Sequence, residues 1–148
     1  MRSLHVVSIA RPPVVIFDHI ADGSRNATWR PSVVEVSLHS GDLGAGTVWK
    51  QVIHGPGGRL ADADYRVTRY EPHTAYGYEI IAGPIRGSAL FTLTAAEDSE
   101  TAVTAEMILK PRGAMRLLTG FVLRRLVDEM DSLDRLREVL NAAHHGTN

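Results

Sequence analysis

Apolar and polar residues alternate along most of this chain, and near residue 113 the alternation gives way to a helical period. Leu4 to Ala10, rich in Val and Ile, predicts a strand. Arg11-Pro12-Pro13 stops it and suits the start of a helix, where the first-turn N–H groups need no intrahelical partner. Val14 to Ala21, with Ile16, Phe17 and Ile20 apolar, predicts a short helix with one buried face. Asp22-Gly23-Ser24 breaks it, and a second helical turn is expected around Arg25 to Trp29, ended by Pro31.

From there the pattern is β. Val33 to His39 sets Val34, Val36 and Leu38 against Glu35, Ser37 and His39, and the turn cluster Gly41 to Gly46 leads into a strand from Thr47 to His54. After the Gly55-Pro56-Gly57-Gly58 turn, strands are predicted over Leu60 to Tyr70, Ala75 to Ile81, Ile85 to Ala95 and Thr101 to Lys110, each separated by turn residues. Six strands at hairpin spacing plus the first one predict a single antiparallel sheet of about seven strands, a meander. Beyond Pro111-Arg112-Gly113, the residues Met115, Leu118, Val122, Leu126, Leu133, Leu136 and Leu140 fall within about 80° of one another on a helical wheel. Asp128, Asp131, Asp134, Arg135 and Glu138 occupy the other side. The helix predicted over Gly113 to Ala143 is about 43 Å long at ~1.5 Å per residue, enough to cross a whole sheet. The expected class is therefore α+β, with two short helices between the first two strands.

Composition narrows the class further. The chain has 148 residues, which suits one domain, here residues 1–143, with 144–148 expected as a disordered tail. Cysteine is absent, which excludes disulfides, thiolate metal sites and cysteine nucleophiles. With 16 Lys+Arg against 17 Asp+Glu, there is no electrostatic footprint for nucleic acid or an anionic membrane. The longest near-apolar stretch, Pro12 to Phe17, is far short of the ~20 residues that span a bilayer, and the N-terminus has no signal-peptide pattern. A cytoplasmic monomer or homodimer is the expectation, with no membrane insertion.

The order of elements resembles the helix-grip fold of the START/Bet v 1-like (SRPBCC) superfamily over almost the whole chain. Ile9-Ala10-Arg11-Pro12-Pro13 followed by Val15 to Asp22 resembles the opening phrase of its polyketide cyclase/dehydratase group. Trp29, Gly44-Ala45-Gly46-Thr47, Tyr70-Glu71-Pro72 and the C-terminal helix match later landmarks. The resemblance implies a seven-stranded sheet wrapped around the long helix, with a cavity between them for a largely apolar, lipid- or polyketide-like ligand. No cofactor is expected. The resemblance also nominates Arg66, which falls where aromatase/cyclase members place a cavity arginine able to hold a ketone or enolate oxygen. Alternation sets Arg66 opposite the more apolar Ala61, Ala63, Tyr65 and Val67, so a solvent-facing arginine paired with an acid is the competing expectation.

Candidate chemistry is otherwise sparse. There is no Gly-x-Ser-x-Gly elbow, no phosphate-binding loop and no His-Glu-x-x-His motif, and His5, His19, His39, His54 and His73 are scattered. No metal site is expected. Tyr65, Tyr76 and Tyr78 offer apolar bodies with orienting hydroxyls, and Tyr65 or Tyr78 is a candidate proton donor beside Arg66. Trp49, Phe91, Met107, Leu118, Val122 and Leu126 complete the expected ligand-binding surface, while Trp29 is expected to pack the short helices. Leu117, Phe121, Leu123 and Val127 lie off the main stripe, to pack on the short helices and loops or line a pocket mouth. Glu79 and Glu106 are expected to face outward; if inward, either would be a candidate acid or base. Glu129 falls inside the apolar stripe, which predicts an Arg125–Glu129 pair on its shoulder, worth ~0.2–0.5 kcal/mol, or a carboxylate reaching a cavity partner.

Three functions fit: a carrier or sensor of a hydrophobic or aromatic small molecule, a polyketide cyclase/dehydratase, or a protein-interaction module. The lack of an acid–base constellation favours the first and leaves catalysis open.

Overall fold

The structure is a computed structural model, and it describes residues 2–111, 113, 117 and 119–146. Strand β1 (Arg2–Ile9) is followed by helix α1 (Pro13–Ala21), a single 3-10 turn and the one-turn helix α2 (Asn26–Trp29). Strands β2 (Val33–Ser40), β3 (Val48–His54), β4 (Leu60–Asp62), β5 (Tyr65–Glu71), β6 (Ala75–Ile80), β7 (Ile85–Ala95) and β8 (Thr101–Pro111) follow, then helix α3 (Thr119–Gly146). Every strand pairing is antiparallel, in the order β1-β8-β7-β6-β5-β3-β2, with β4 attached to β3. This is the helix-grip α+β architecture.

The sheet has eight strands rather than about seven because the segment Leu60 to Tyr70 divides at Ala63-Asp64. There the Asp64 carboxylate accepts the Gln51 N–H at 3.1 Å, while the Ala63 N–H donates to Gln51 O and the Ile81 N–H donates to Asp64 O. A side chain takes over a ladder position, and the backbone leaves one strand and begins the next. Gly83 in the β6–β7 turn serves the same corner: its φ is +91°, and a Cβ there would collide with the Asp62 carbonyl oxygen.

Alternation sorts the sheet into two faces. Val103, Ala105, Met107 and Leu109 of β8, Ala89, Phe91 and Leu93 of β7, and Tyr65 and Val67 of β5 are buried on the inner face. Edge strand β2 is mostly exposed, and its Val34 and Leu38 remain in solvent. Helix α3 lies against β1, β8 and α2, and buries Val122, Leu126, Leu133, Leu136 and Leu140. Met115, Leu118 and the Phe121 side chain lie outside the described residues. Leu117, Leu123 and Val127 are exposed. The α3 backbone is helical to Gly146.

Candidate functional site

The site begins where α2 ends. The Arg30 N–H closes the turn on Asn26 O at 2.8 Å, and Arg30 itself is extended (φ −115°, ψ 97°), as the residue before Pro31 should be. That bend turns the Arg30 side chain into the interior. Its Nε donates to Glu129 Oε2 at 3.1 Å, and both side chains are only 4% exposed. The other carboxylate oxygen accepts the Ser32 hydroxyl at 3.1 Å and faces Arg125 Nη2 at 3.2 Å, one turn earlier on α3. The expected Arg125–Glu129 pair therefore forms, but it is buried and extended by Arg30 and Ser32 into a cluster joining α3 to the α2–β2 turn. Arg30 also lies over two aromatic rings, its guanidinium carbon 5.9 Å from the Trp29 ring centroid and 5.7 Å from that of Tyr78.

The protonation states follow from these contacts. Burial pushes the Glu129 carboxyl up, but Arg30, Arg125 and the hydrogen bonds from Arg30 and Ser32 outweigh it and hold the carboxyl below its ordinary value. For Arg30, burial opposes the charge and Glu129 more than restores it. For Arg125 burial prevails and weakens its hold on the proton, though a guanidinium remains charged at neutral pH. Burial raises the phenols of Tyr65, Tyr76 and Tyr78, leaving all three neutral O–H groups.

A neutral network flanks the charged one. Asn26 Nδ2 donates to Gln51 Oε1 at 3.0 Å and to the Tyr65 hydroxyl at 2.8 Å, tying α2 to β3 and β5. The preceding turn can lie this close only because Gly23 has no side chain, since a Cβ there would come 2.5 Å from Trp49 Cδ2 and 2.6 Å from the Tyr65 hydroxyl oxygen.

Between the two networks lies a cavity of about 20 Å³. That is room for about one water molecule. Ile53, Ile85, Met107 and Leu109 supply apolar wall, and Arg30, Gln51, Tyr78, Arg125 and Glu129 supply the polar end. Outside it, an open groove of about 430 Å³ runs between Pro31 and Ser32, His54 and Gly55, and the α3 residues Arg124, Arg125, Asp128 and Asp131. Arg125 belongs to both walls.

Of the residues nominated from sequence, Tyr78 and Met107 line the cavity. Trp49, Tyr65, Tyr76, Phe91, Val122 and Leu126 are buried, but they pack around the cavity rather than line it. The Tyr65 and Tyr78 rings meet at a 46° tilt with centroids 4.7 Å apart, and Trp29 meets Phe91 edge-on at 5.9 Å. Leu118 lies outside the described residues. Arg66 requires correction as an interior residue: it sits on the outer face, where Nη1 donates to Glu79 Oε1 at 3.0 Å. The β5–β6 register is irregular only between Val67 and Arg69, so nothing turns Arg66 inward. Glu106 likewise faces out, toward Arg2. Arg30 and Gln51 were missed. The one signal in sequence was Glu129, an acid in an apolar stripe that requires a buried partner. Among the described residues no three His, Asp or Glu side chains converge as metal ligands would, and no helix is long and apolar enough to cross a membrane.

Comparison with known proteins agrees with this architecture. The sequence profile of a family described as polyketide cyclase / dehydrase and lipid transport matches residues 2–141. No curated protein matches the chain significantly in sequence. Among solved structures, a Thermus thermophilus protein superposes with a TM-score of 0.77 at 16% identity, covering 97% of this chain and 99% of the other. A START superfamily protein from Mycobacterium smegmatis gives 0.74 at 11% identity, covering 94% and 98%. The ZhuI aromatase/cyclase from a Streptomyces species gives 0.70 at 17% identity, covering 93% and 92%.

Proposed function

Because the chain belongs to the polyketide cyclase/dehydrase and lipid transport family of the START/Bet v 1-like superfamily, we propose that it binds a hydrophobic or aromatic small molecule between its sheet and α3. The observation that carries this reading is the interior cavity itself, apolar along the sheet and charged at the α3 end. Such a site gives an apolar ligand its burial and a single polar group its orientation. At about 20 Å³ the cavity as it stands has room for about one water molecule. A ligand larger than water requires the side chains at the α3 end to move apart.

A second reading, cyclase/dehydratase chemistry on a poly-ketone, draws on the packing of Arg30 against Tyr78. A fixed positive charge beside a neutral phenol suits a developing enolate oxygen. Binding without chemistry is preferred, because a general base works best with a pKa near the working pH. Glu129 is instead held ionised by two arginines, and the three tyrosines are held protonated. Titration with the uncharged dye N-phenyl-1-naphthylamine is expected to show saturable one-to-one binding, reversed by flat polycyclic compounds. Non-saturable binding overturns the carrier reading. Turnover of a poly-ketone that is lost in Tyr78→Phe while dye binding persists would establish the enzyme instead.

A further inference from the structure

The interior holds more positive charge than it balances. Arg30 and Arg125 face the single carboxylate of Glu129, and among the described residues neither arginine has a second carboxylate within ion-pair range. The other polar groups of the cavity, Gln51, Tyr78 and Ser88, are neutral. Asp128 attracts Arg125 from the exposed groove side, outside the cavity. A buried, uncompensated charge is costly unless something of opposite sign meets it.

The two arginines are not equivalent. Arg30 lies over the Trp29 and Tyr78 rings and is hydrogen-bonded to Glu129. Arg125 touches the same carboxylate at 3.2 Å, is 9% exposed, and is common to the cavity and the groove. Glu129 would keep Arg30 and Ser32 if Arg125 left. Arg125 is thus the barrier whose movement disrupts least. Burial also opposes its charge more than its surroundings support it.

Resting on the ligand-binding reading above, we infer that the ligand carries one negative charge on an apolar body, and that it reaches the cavity through the groove by exchanging with Glu129 as the partner of Arg125. The incoming anion neutralises the surplus charge. The apolar body follows along the Ile53, Ile85 and Met107 wall. Arg125 is a specificity-determining residue in this scheme, because a neutral molecule of the same shape gives it nothing in return for leaving Glu129.

Decanoate and decanol, equal in chain length, separate charge from apolarity. Isothermal titration at pH 7 is expected to show decanoate binding at least about tenfold more tightly, in keeping with an anion meeting a desolvated cation. Equal affinities overturn the inference while leaving the binding reading intact, and binding of neither overturns both. Arg125→Met should reduce the preference to less than about threefold and Arg125→Lys should retain most of it. A preference unchanged in Arg125→Met overturns the role of that residue. The route has its own test, stopped-flow association followed by intrinsic tryptophan fluorescence. Asp128→Trp and Asp128→Asn remove the same charge, but only the first fills the groove. Association of decanoate at least about fivefold slower in the Trp variant than in the Asn variant is expected. Equal rates overturn the groove as the portal.

Discussion

Two arginine–carboxylate pairs, one on each face of the sheet, have nearly the same length and opposite importance. On the outer face Arg66 meets Glu79 at 3.0 Å, with the side chains 48% and 44% exposed. In the interior Arg30 meets Glu129 at 3.1 Å, and both are 4% exposed. Distance does not separate them; water does. An exposed pair trades hydration for a screened attraction and nets ~0.2–1 kcal/mol at best. A buried pair has already lost its hydration, so removing one partner leaves a charge that neither solvent nor protein can satisfy. The inner pair therefore fixes the fold locally and puts charge at one end of the cavity, whereas the outer pair decorates a surface.

The largest effect expected from breaking this contrast is at Glu129. Glu129→Gln leaves two buried arginines facing each other and should lower unfolding free energy by about 3–5 kcal/mol in urea denaturation. Replacing the whole cluster, as Arg30→Met, Arg125→Leu and Glu129→Leu together, should recover most of that loss, because well-packed apolar residues often match a buried ion cluster. A triple variant as unstable as the single one would show that the cost was packing, not charge. The pH profile sharpens the point. Since the folded Glu129 carboxyl lies below its ordinary value of 4.5, its contribution is complete above that value and is lost as pH falls through the folded one. The gap between wild type and Glu129→Gln should therefore narrow below pH 4.5. Leu133, 1% exposed on the same helix, supplies the uncharged control. Leu133→Ala should cost about 2–5 kcal/mol, with no comparable narrowing in acid. A cost under about 1 kcal/mol, typical of exposed sites, would contradict the buried face of α3.

A smaller effect is expected at Gly23, where the interior is tight without being charged. Gly23→Ala drives a methyl group into Trp49 and the Tyr65 hydroxyl. Overpacking of this kind costs about 1–3 kcal/mol. It should also disturb the Asn26–Tyr65 hydrogen bond, visible as a shifted tryptophan emission. An unchanged melting temperature and emission would mean that the turn slides freely over Trp49, and that the interior opens more easily than its packing indicates.

The two faces also differ in how far the sequence discloses them. Period-two alternation suffices for which side of β5 and β8 is buried, because each residue's own neighbours carry the signal. The burial of Tyr65, Tyr76, Tyr78 and Phe91 was readable for the same reason. The division at Ala63-Asp64 was not, since it depends on Gln51, a residue of another strand whose N–H the Asp64 carboxylate takes. Glu129 was visible as an acid among leucines, which amounts to a demand for a partner. Arg30 answers that demand from 99 residues away. A single arginine between Trp29 and Pro31 has no periodic context to reveal it. The cavity's size was equally hidden, because it depends on how side chains from several elements interlock.

Arg66 is where pattern and resemblance pointed in different directions, and it carries the smallest predicted effect. The resemblance set it in the cavity, while alternation set it outside with Tyr65 and Val67 turned in. The structure follows the alternation, because the only register irregularity between β5 and β6 comes after Val67 and leaves Arg66 opposite Glu79. Arg66→Ala should then change unfolding free energy by no more than about 0.5 kcal/mol, the scale of an ordinary surface substitution. Added salt should shrink even that difference, since the pair is open to screening. Dye binding and the decanoate preference should both be unaltered. A loss of ligand affinity in Arg66→Ala, with Arg125→Met silent, would move the charged end of the site to the outer face. It would also mean that a pair half exposed to water can set ligand affinity as a buried one should.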